Sequence, residues 1–117
     1  MSTYDELARK VNQTEVMQRF LADLDKESVK LLFTICKEYE SCREPVPDHR
    51  IHAPGYLGGV TLRALLAAGL LERETGRRLA IYQYKPTPEG VEYYRKLVQE
   101  GWTPSHLATG DIASPHA

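Results

Sequence analysis

Four side chains able to bind a soft metal ion fall within seventeen residues: Cys36, Cys42, His49 and His52. Thiolate and imidazole are the usual ligands of zinc, so a tetrahedral site is the first chemistry to weigh. The spacing argues against it. Neither C-x5-C nor H-x2-H is a usual zinc pattern, no CxxC turn is present, and no metal is expected. Cys36 falls on the apolar face of a predicted helix, where free cysteine behaves as a small hydrophobe. A disulfide is not expected either, because a helix running through Cys42 points the two thiols apart.

Catalytic patterns are missing in the same way. No Ser/His/Asp order, phosphate-cradling loop or dinucleotide fingerprint stands in a suitable strand-helix context, so neither enzyme activity nor a cofactor is expected. The pair Gly58-Gly59 in PGYLGG has no strand before it and no Lys-Ser/Thr after it. It reads as a helix start where a neighbouring backbone comes close. His106 and His116, in the tail, carry no recognisable role.

The elements that would position these groups follow from hydrophobic spacing. Thr3-x-x-Glu6 and Asn12-x-x-Glu15 are capping-box patterns, giving one long helix or two short ones meeting near Asn12. Leu7, Val11, Met17, Leu21 and Leu24 form a stripe that suits either the domain's own core or a dimer contact. Asp25 can cap a helix from Lys26 to about Tyr39, with Val29, Leu32, Phe33 and Cys36 on one face and Leu31 and Ile35 beside it. Pro45, Pro47 and Pro54 leave room for about two helical turns between Pro47 and Ala53, with Ile51 inward, or for an extended connection.

Thr61 to Gly90 organises the rest. Leu62, Leu65 and Leu66 share a face of a helix from about Leu57 to Ala68, and Gly69 is its left-handed stop. Leu70–Glu74 and Leu79–Tyr84 read as two strands about a turn at Thr75-Gly76-Arg77, with Tyr82 and Tyr84 together covering the core edge. Thr87 caps a last helix, Pro88 to Glu100, with Pro88 at its first position and Glu89 favouring its dipole. Its stripe is Val91, Tyr94, Leu97 and Val98, beside Tyr93, and it ends at Gly101. Gly90 allows a close packing contact, and Trp102 folds back as an apolar cover.

The runs LRALLAAGLLER and YQYKPTPEG, within Val60 to Leu97, resemble the signature of winged-helix domains in small bacterial and archaeal transcription regulators. The resemblance implies a mostly helical α+β fold. It would be a winged helix-turn-helix with an N-terminal extra helix, a two-stranded β wing and a C-terminal helix. Residues 1–24 would be the helical extension, 25–101 the domain, and 102–117 a loose tail. It also implies a dimeric transcription regulator on double-stranded DNA, with helix 57–68 over the major groove and wing 73–78 on phosphates; with no signal peptide visible, a cytoplasmic location is expected. The residues assigned to DNA are Tyr56, Thr61, Arg63, Arg73, Arg77 and Arg78.

Composition sets bounds without choosing the function. The chain has 117 residues, 42% hydrophobic, enough for one cored domain, and a net charge of −1. Residues 1–27 sum to −2, 28–85 to +3 and 86–117 to −2, a mildly basic centre. The longest apolar run, Ala64 to Leu71, is far too short to span a bilayer. One feature opposes DNA readout. By helical spacing Gly58, Leu62, Leu65 and Leu66 face inward, whereas Leu57, Val60, Ala64 and Ala67 face outward with Thr61 and Arg63 on the flanks. Base edges favour Arg, Lys, Asn or Gln. An outer face of small apolar residues suits another helix, so the second expected function is a winged-helix fold used for protein contacts.

Overall fold

The computed structural model describes residues 2–51 and 55–104. They form a mostly helical α+β arrangement of four α-helices and one antiparallel sheet of three strands, compatible with a winged-helix-like fold. Helix α1 (Thr3–Asn12) and helix α2 (Glu15–Cys42) come first. The expected capping boxes are slightly displaced. Ser2, not Thr3, caps α1 by accepting from the Asp5 amide at 3.1 Å. Thr14, not Asn12, starts α2: its hydroxyl accepts from the Met17 amide at 3.3 Å and donates to the Val11 carbonyl at 2.8 Å. One side chain thus serves both helix ends and sets the break.

Helix α2 runs straight through Asp25, where a helix start was expected. With neither Gly nor Pro between Glu15 and Cys42, nothing takes the backbone out of the helical region, and Asp25 caps nothing. At 28 residues the helix is about 42 Å long, yet its buried residues are confined to Leu31–Cys36. Most of the expected N-terminal stripe faces solvent: Leu7, Val11 and Leu21 are exposed, and Met17 and Leu24 half-buried. Arg43, in the left-handed region at φ 61°, ends α2.

The next stretch takes the extended one of its two expected forms. In place of two helical turns from Pro47, the chain forms strand β1 (Val46–Pro47) and a single 3₁₀ turn, Asp48–Arg50. Pro45 and Pro47 push the residues before them toward extended backbone, and a proline lacking an N–H is tolerated at a sheet edge. Val46 is buried, and Ile51 packs against the core as expected.

Helix α3 (Gly55–Ala67) ends as its sequence implies. Gly69, at φ 76°, lets its own amide reach Leu66 O at 3.1 Å and the Leu70 amide reach Leu65 O at 3.0 Å. Strands β2 (Leu71–Thr75) and β3 (Tyr82–Pro86) follow, in the order β1-β3-β2 with Val46 and Arg73 both opposite Tyr84. The expected two-stranded wing is therefore the larger part of a three-stranded sheet. The returning strand also begins three residues later than its alternation suggested. Leu79 and Ile81 are 93% and 72% exposed in the connecting loop, and buried Ala80 lies between them.

Helix α4 (Pro88–Gln99) closes the unit. Thr87 caps it through the Gly90 amide, and its hydroxyl donates to Gly69 O at 2.7 Å. Gly101 stops it, and Trp102 folds back so that its ring stands 5.0 Å from Phe33, which also meets Tyr94 edge-on. Val98 is half exposed instead of completing the α4 stripe. The core joins Leu31, Leu32, Ile35 and Cys36 of α2 to Val46, Leu65 and Leu71. Among the described residues no helix is long and apolar enough to cross a membrane. The expected tail falls mostly outside the described residues, as do His106 and His116.

Candidate nucleic-acid interface

Helix α3 turns Gly58, Thr61 and Leu65 inward, with Leu62 and Leu66 partly covered beside them. Thr61 is a correction to the expected DNA contacts. It is 1% exposed, and its hydroxyl donates to Gly58 O at 2.8 Å within the helix. Helical spacing alone put Thr61 on a flank; α3 buries that flank as well, and a satisfied hydroxyl can be buried there.

The outward face carries Tyr56, 77% exposed, and Arg63 two turns further along. Gly59 stands between them, and a Cβ there would lie 3.8 Å from Arg63 Nη1. The guanidinium therefore lies back over the glycine toward Tyr56. Ala64, Ala67 and Ala68 are exposed, whereas Leu57 and Val60, expected outward, are half-buried. Leu57 helps to line a cavity of about 400 Å³ between α2 and α3, floored by Leu31, Ile35 and Val46.

Along the ribbon, Arg73 is pinned, its guanidinium carbon 4.3 Å above the centre of the Tyr82 ring. Tyr82 is still 40% exposed, and only Tyr84 covers the core as expected of both. Arg77 and Arg78 sit in the loop from Gly76 to Ile81, which is closed by the Gly76 amide on Ile81 O at 2.9 Å. Within it the Ala80 amide reaches Arg77 O at 3.1 Å, and Arg78 takes a left-handed φ of 56°. Gly76 is required: a Cβ there would meet the Ala80 carbonyl oxygen at 2.4 Å. Neither arginine's guanidinium pairs with any group among the described residues. Glu74, on the strand leading into the loop, accepts from Gln83 Nε2 at 2.6 Å.

Sequence reasoning missed the residue that positions this loop. Asp48, in the 3₁₀ turn, accepts from the backbone amides of Ile81 at 3.2 Å and Tyr82 at 3.0 Å through one carboxylate oxygen. No local pattern reveals a partner 33 residues away. The same turn brings His49 and Arg50 beside the wing, and Arg50 forms an ion pair with Glu38 of α2.

The soft-ligand cluster is spread apart. Cys36 is fully buried, its thiol 3.9 Å from Gly90 O, and burial, with Glu40 adding to it, pushes the thiol up to about 12. Cys42 is exposed about 9 Å further along α2. His52 lies outside the described residues. Among the described residues no three His, Cys, Asp or Glu side chains converge on one point that could hold a metal ion. No family model, curated protein or solved structure matches this chain.

Proposed function

We propose that the chain is a winged-helix DNA-binding protein, a dimeric cytoplasmic transcription regulator with α3 over the major groove and the β2–β3 wing on phosphates. One observation carries the reading: the outward row Tyr56–Gly59–Arg63 on α3 shares the molecule with two unpaired wing arginines, Arg77 and Arg78. A helix that offers a reaching cation and an aromatic, flanked by phosphate-seeking charge, has both parts that duplex recognition needs. The bare apolar side chains Tyr4, Leu7 and Val16 on α1 and early α2 support pairing of two copies there.

A second reading has its own observation. Exposed Ala64, Ala67 and Ala68, with Leu79 and Ile81 bare at the wing tip, suit a protein partner better than a phosphate backbone.

Fluorescence polarisation of a mixed-sequence duplex at two salt concentrations separates the two. On the DNA reading, Arg77→Ala/Arg78→Ala weakens binding to all sequences alike and flattens the salt dependence, by about 0.9 in log-log slope for each phosphate no longer neutralised. Arg63→Ala costs about 1–3 kcal/mol at preferred sites only. Absence of binding at low salt, or binding indifferent to the removal of both wing arginines, would favour the protein-partner reading.

A further inference from the structure

On the side of the wing loop facing the 3₁₀ turn lies a depression of about 560 Å³. Arg77 and Arg78 form one wall, His49 and Arg50 another, and Glu44 also lines it. Pro47 and Gln83, register partners across β1 and β3, belong to its lining. The structure assigns this depression as a binding site for a phosphate or diphosphate group, held by Arg77 and Arg78 with His49 completing the ring. It extends the wing beyond a row of surface arginines. It does not depend on duplex DNA being the source of the phosphate.

Three features favour an anion here. Arg77 and Arg78 have no carboxylate partner among the described residues, so their charge is uncompensated where the depression opens. Planar guanidinium groups with several donors match phosphate oxygens, and two close together suit a doubly charged group. The wing loop is also tied to the 3₁₀ turn before any ligand arrives. Asp48 holds the Ile81 and Tyr82 amides, and Arg50 is anchored to Glu38, so the two walls are fixed relative to each other. A preorganised pair of walls spares the ordering entropy that a free loop would lose on binding.

The acidic groups do not cancel this arrangement. The Asp48 oxygen nearest the loop is occupied by two amide protons, and its other oxygen stands 3.9 Å from His49 Nδ1. Glu38 is engaged with Arg50. Glu44 alone faces the depression without a partner among the described residues, set against two unpaired arginines. Asp48 is therefore a positioning residue: it carries the wrong charge for the ligand but holds the loop that binds it.

That role produces a test in which electrostatics and positioning predict opposite signs. Sodium pyrophosphate is titrated into the full chain at constant ionic strength set with sodium chloride, followed by amide chemical shifts and calorimetry. The amides of residues 48–50 and 77–79 should move together in one saturable transition. Arg77→Ala/Arg78→Ala should weaken binding by about tenfold or more, the scale for removing charge-assisted hydrogen bonds. Asp48→Ala removes a negative charge and by Coulomb's law alone should tighten binding. Positioning predicts that it weakens binding by about fivefold, on the order of one hydrogen bond. Asp48→Asn, which keeps an acceptor oxygen, should stay nearer to wild type than Asp48→Ala.

Unmoved amides at 48–50 and 77–79, pyrophosphate affinity untouched by the arginine double variant, or tighter binding by Asp48→Ala would each overturn the assignment. A competition arm identifies the source of the phosphate. If a short duplex and pyrophosphate displace each other, the site takes the DNA backbone. If both bind at once, or the duplex does not bind while pyrophosphate does, the site serves a soluble phosphorylated molecule. Where the duplex does not bind at all, the DNA reading fails and the anion site stands.

Discussion

Replacing Gly90 with alanine adds one methyl group where three segments of the chain meet. In a helix, alanine is favoured over glycine by about 1 kcal/mol, so propensity alone predicts a gain. The surroundings reverse the sign. A Cβ at position 90 would stand 2.2 Å from the Leu70 carbonyl oxygen and 3.2 Å from its carbon, against an ordinary contact of 3.4 Å or more. The obstacle is backbone, and it is held: the Leu70 amide bonds Leu65 O at 3.0 Å, and Leu70 O accepts from the Thr87 amide at 3.1 Å. Moving α4 away by about 1 Å strains the Thr87 cap and its 2.7 Å bond to Gly69. Overpacking of this kind costs about 1–3 kcal/mol, and each weakened hydrogen bond about 1 kcal/mol more. The net expectation is a loss of about 2–4 kcal/mol, a large share of the roughly 5–15 kcal/mol that holds a domain together. Urea unfolding followed by Trp102 fluorescence reads it directly, because that ring packs on Phe33 at the far end of α4. Gly59→Ala is the matched control. Its new methyl would meet only the flexible Arg63 guanidinium at 3.8 Å, so it should gain up to about 1 kcal/mol. A Gly90→Ala midpoint at or above wild type would show that α4 does not lie against the α3–β2 turn as described.

Three further outcomes are expected. Leu65→Ala should cost about 2–5 kcal/mol in chemical unfolding and Leu66→Ala less, because Leu65 is buried and Leu66 only partly so; equal losses would place the core differently. Cys36, pushed by burial from its ordinary 9.0 to about 12, ionises in the unfolded chain first. Its contribution to stability is whole below pH 9 and is lost as pH rises from 9 towards 12, by at most about 1.4 kcal/mol per pH unit. Cys36→Ala should flatten that alkaline decline, and an unchanged slope would contradict a buried thiol. Deleting residues 1–13, which carry the exposed Tyr4, Leu7 and Val11, should lower the association state in sedimentation velocity; no change would remove α1 from any pairing surface.

Features governed by local chemistry were legible in the sequence. Gly69 and Gly101 stop helices because only glycine takes their backbone angles without strain, and Thr87-Pro88 opens α4 because a hydroxyl and a missing N–H suit that place. The inward placing of Leu62, Leu65 and Leu66 on α3 followed from spacing of the same short range. Tertiary structure decided what depends on distant partners. Thr61 was polar and is buried because that side of α3 packs toward Leu31 and Ile35 of α2, its hydroxyl being satisfied by Gly58 O within the helix. Val46 and Pro47 became a strand through pairing with Tyr84 and Gln83, more than thirty residues away, which no local pattern encodes. The same holds for the candidate site. Arg77 and Arg78 could be marked from their position in a turn, but only the fold sets His49 opposite them and lets Asp48 hold the loop by its amides. A one-dimensional pattern records which residues can turn, cap or bury; which of them meet is decided by packing.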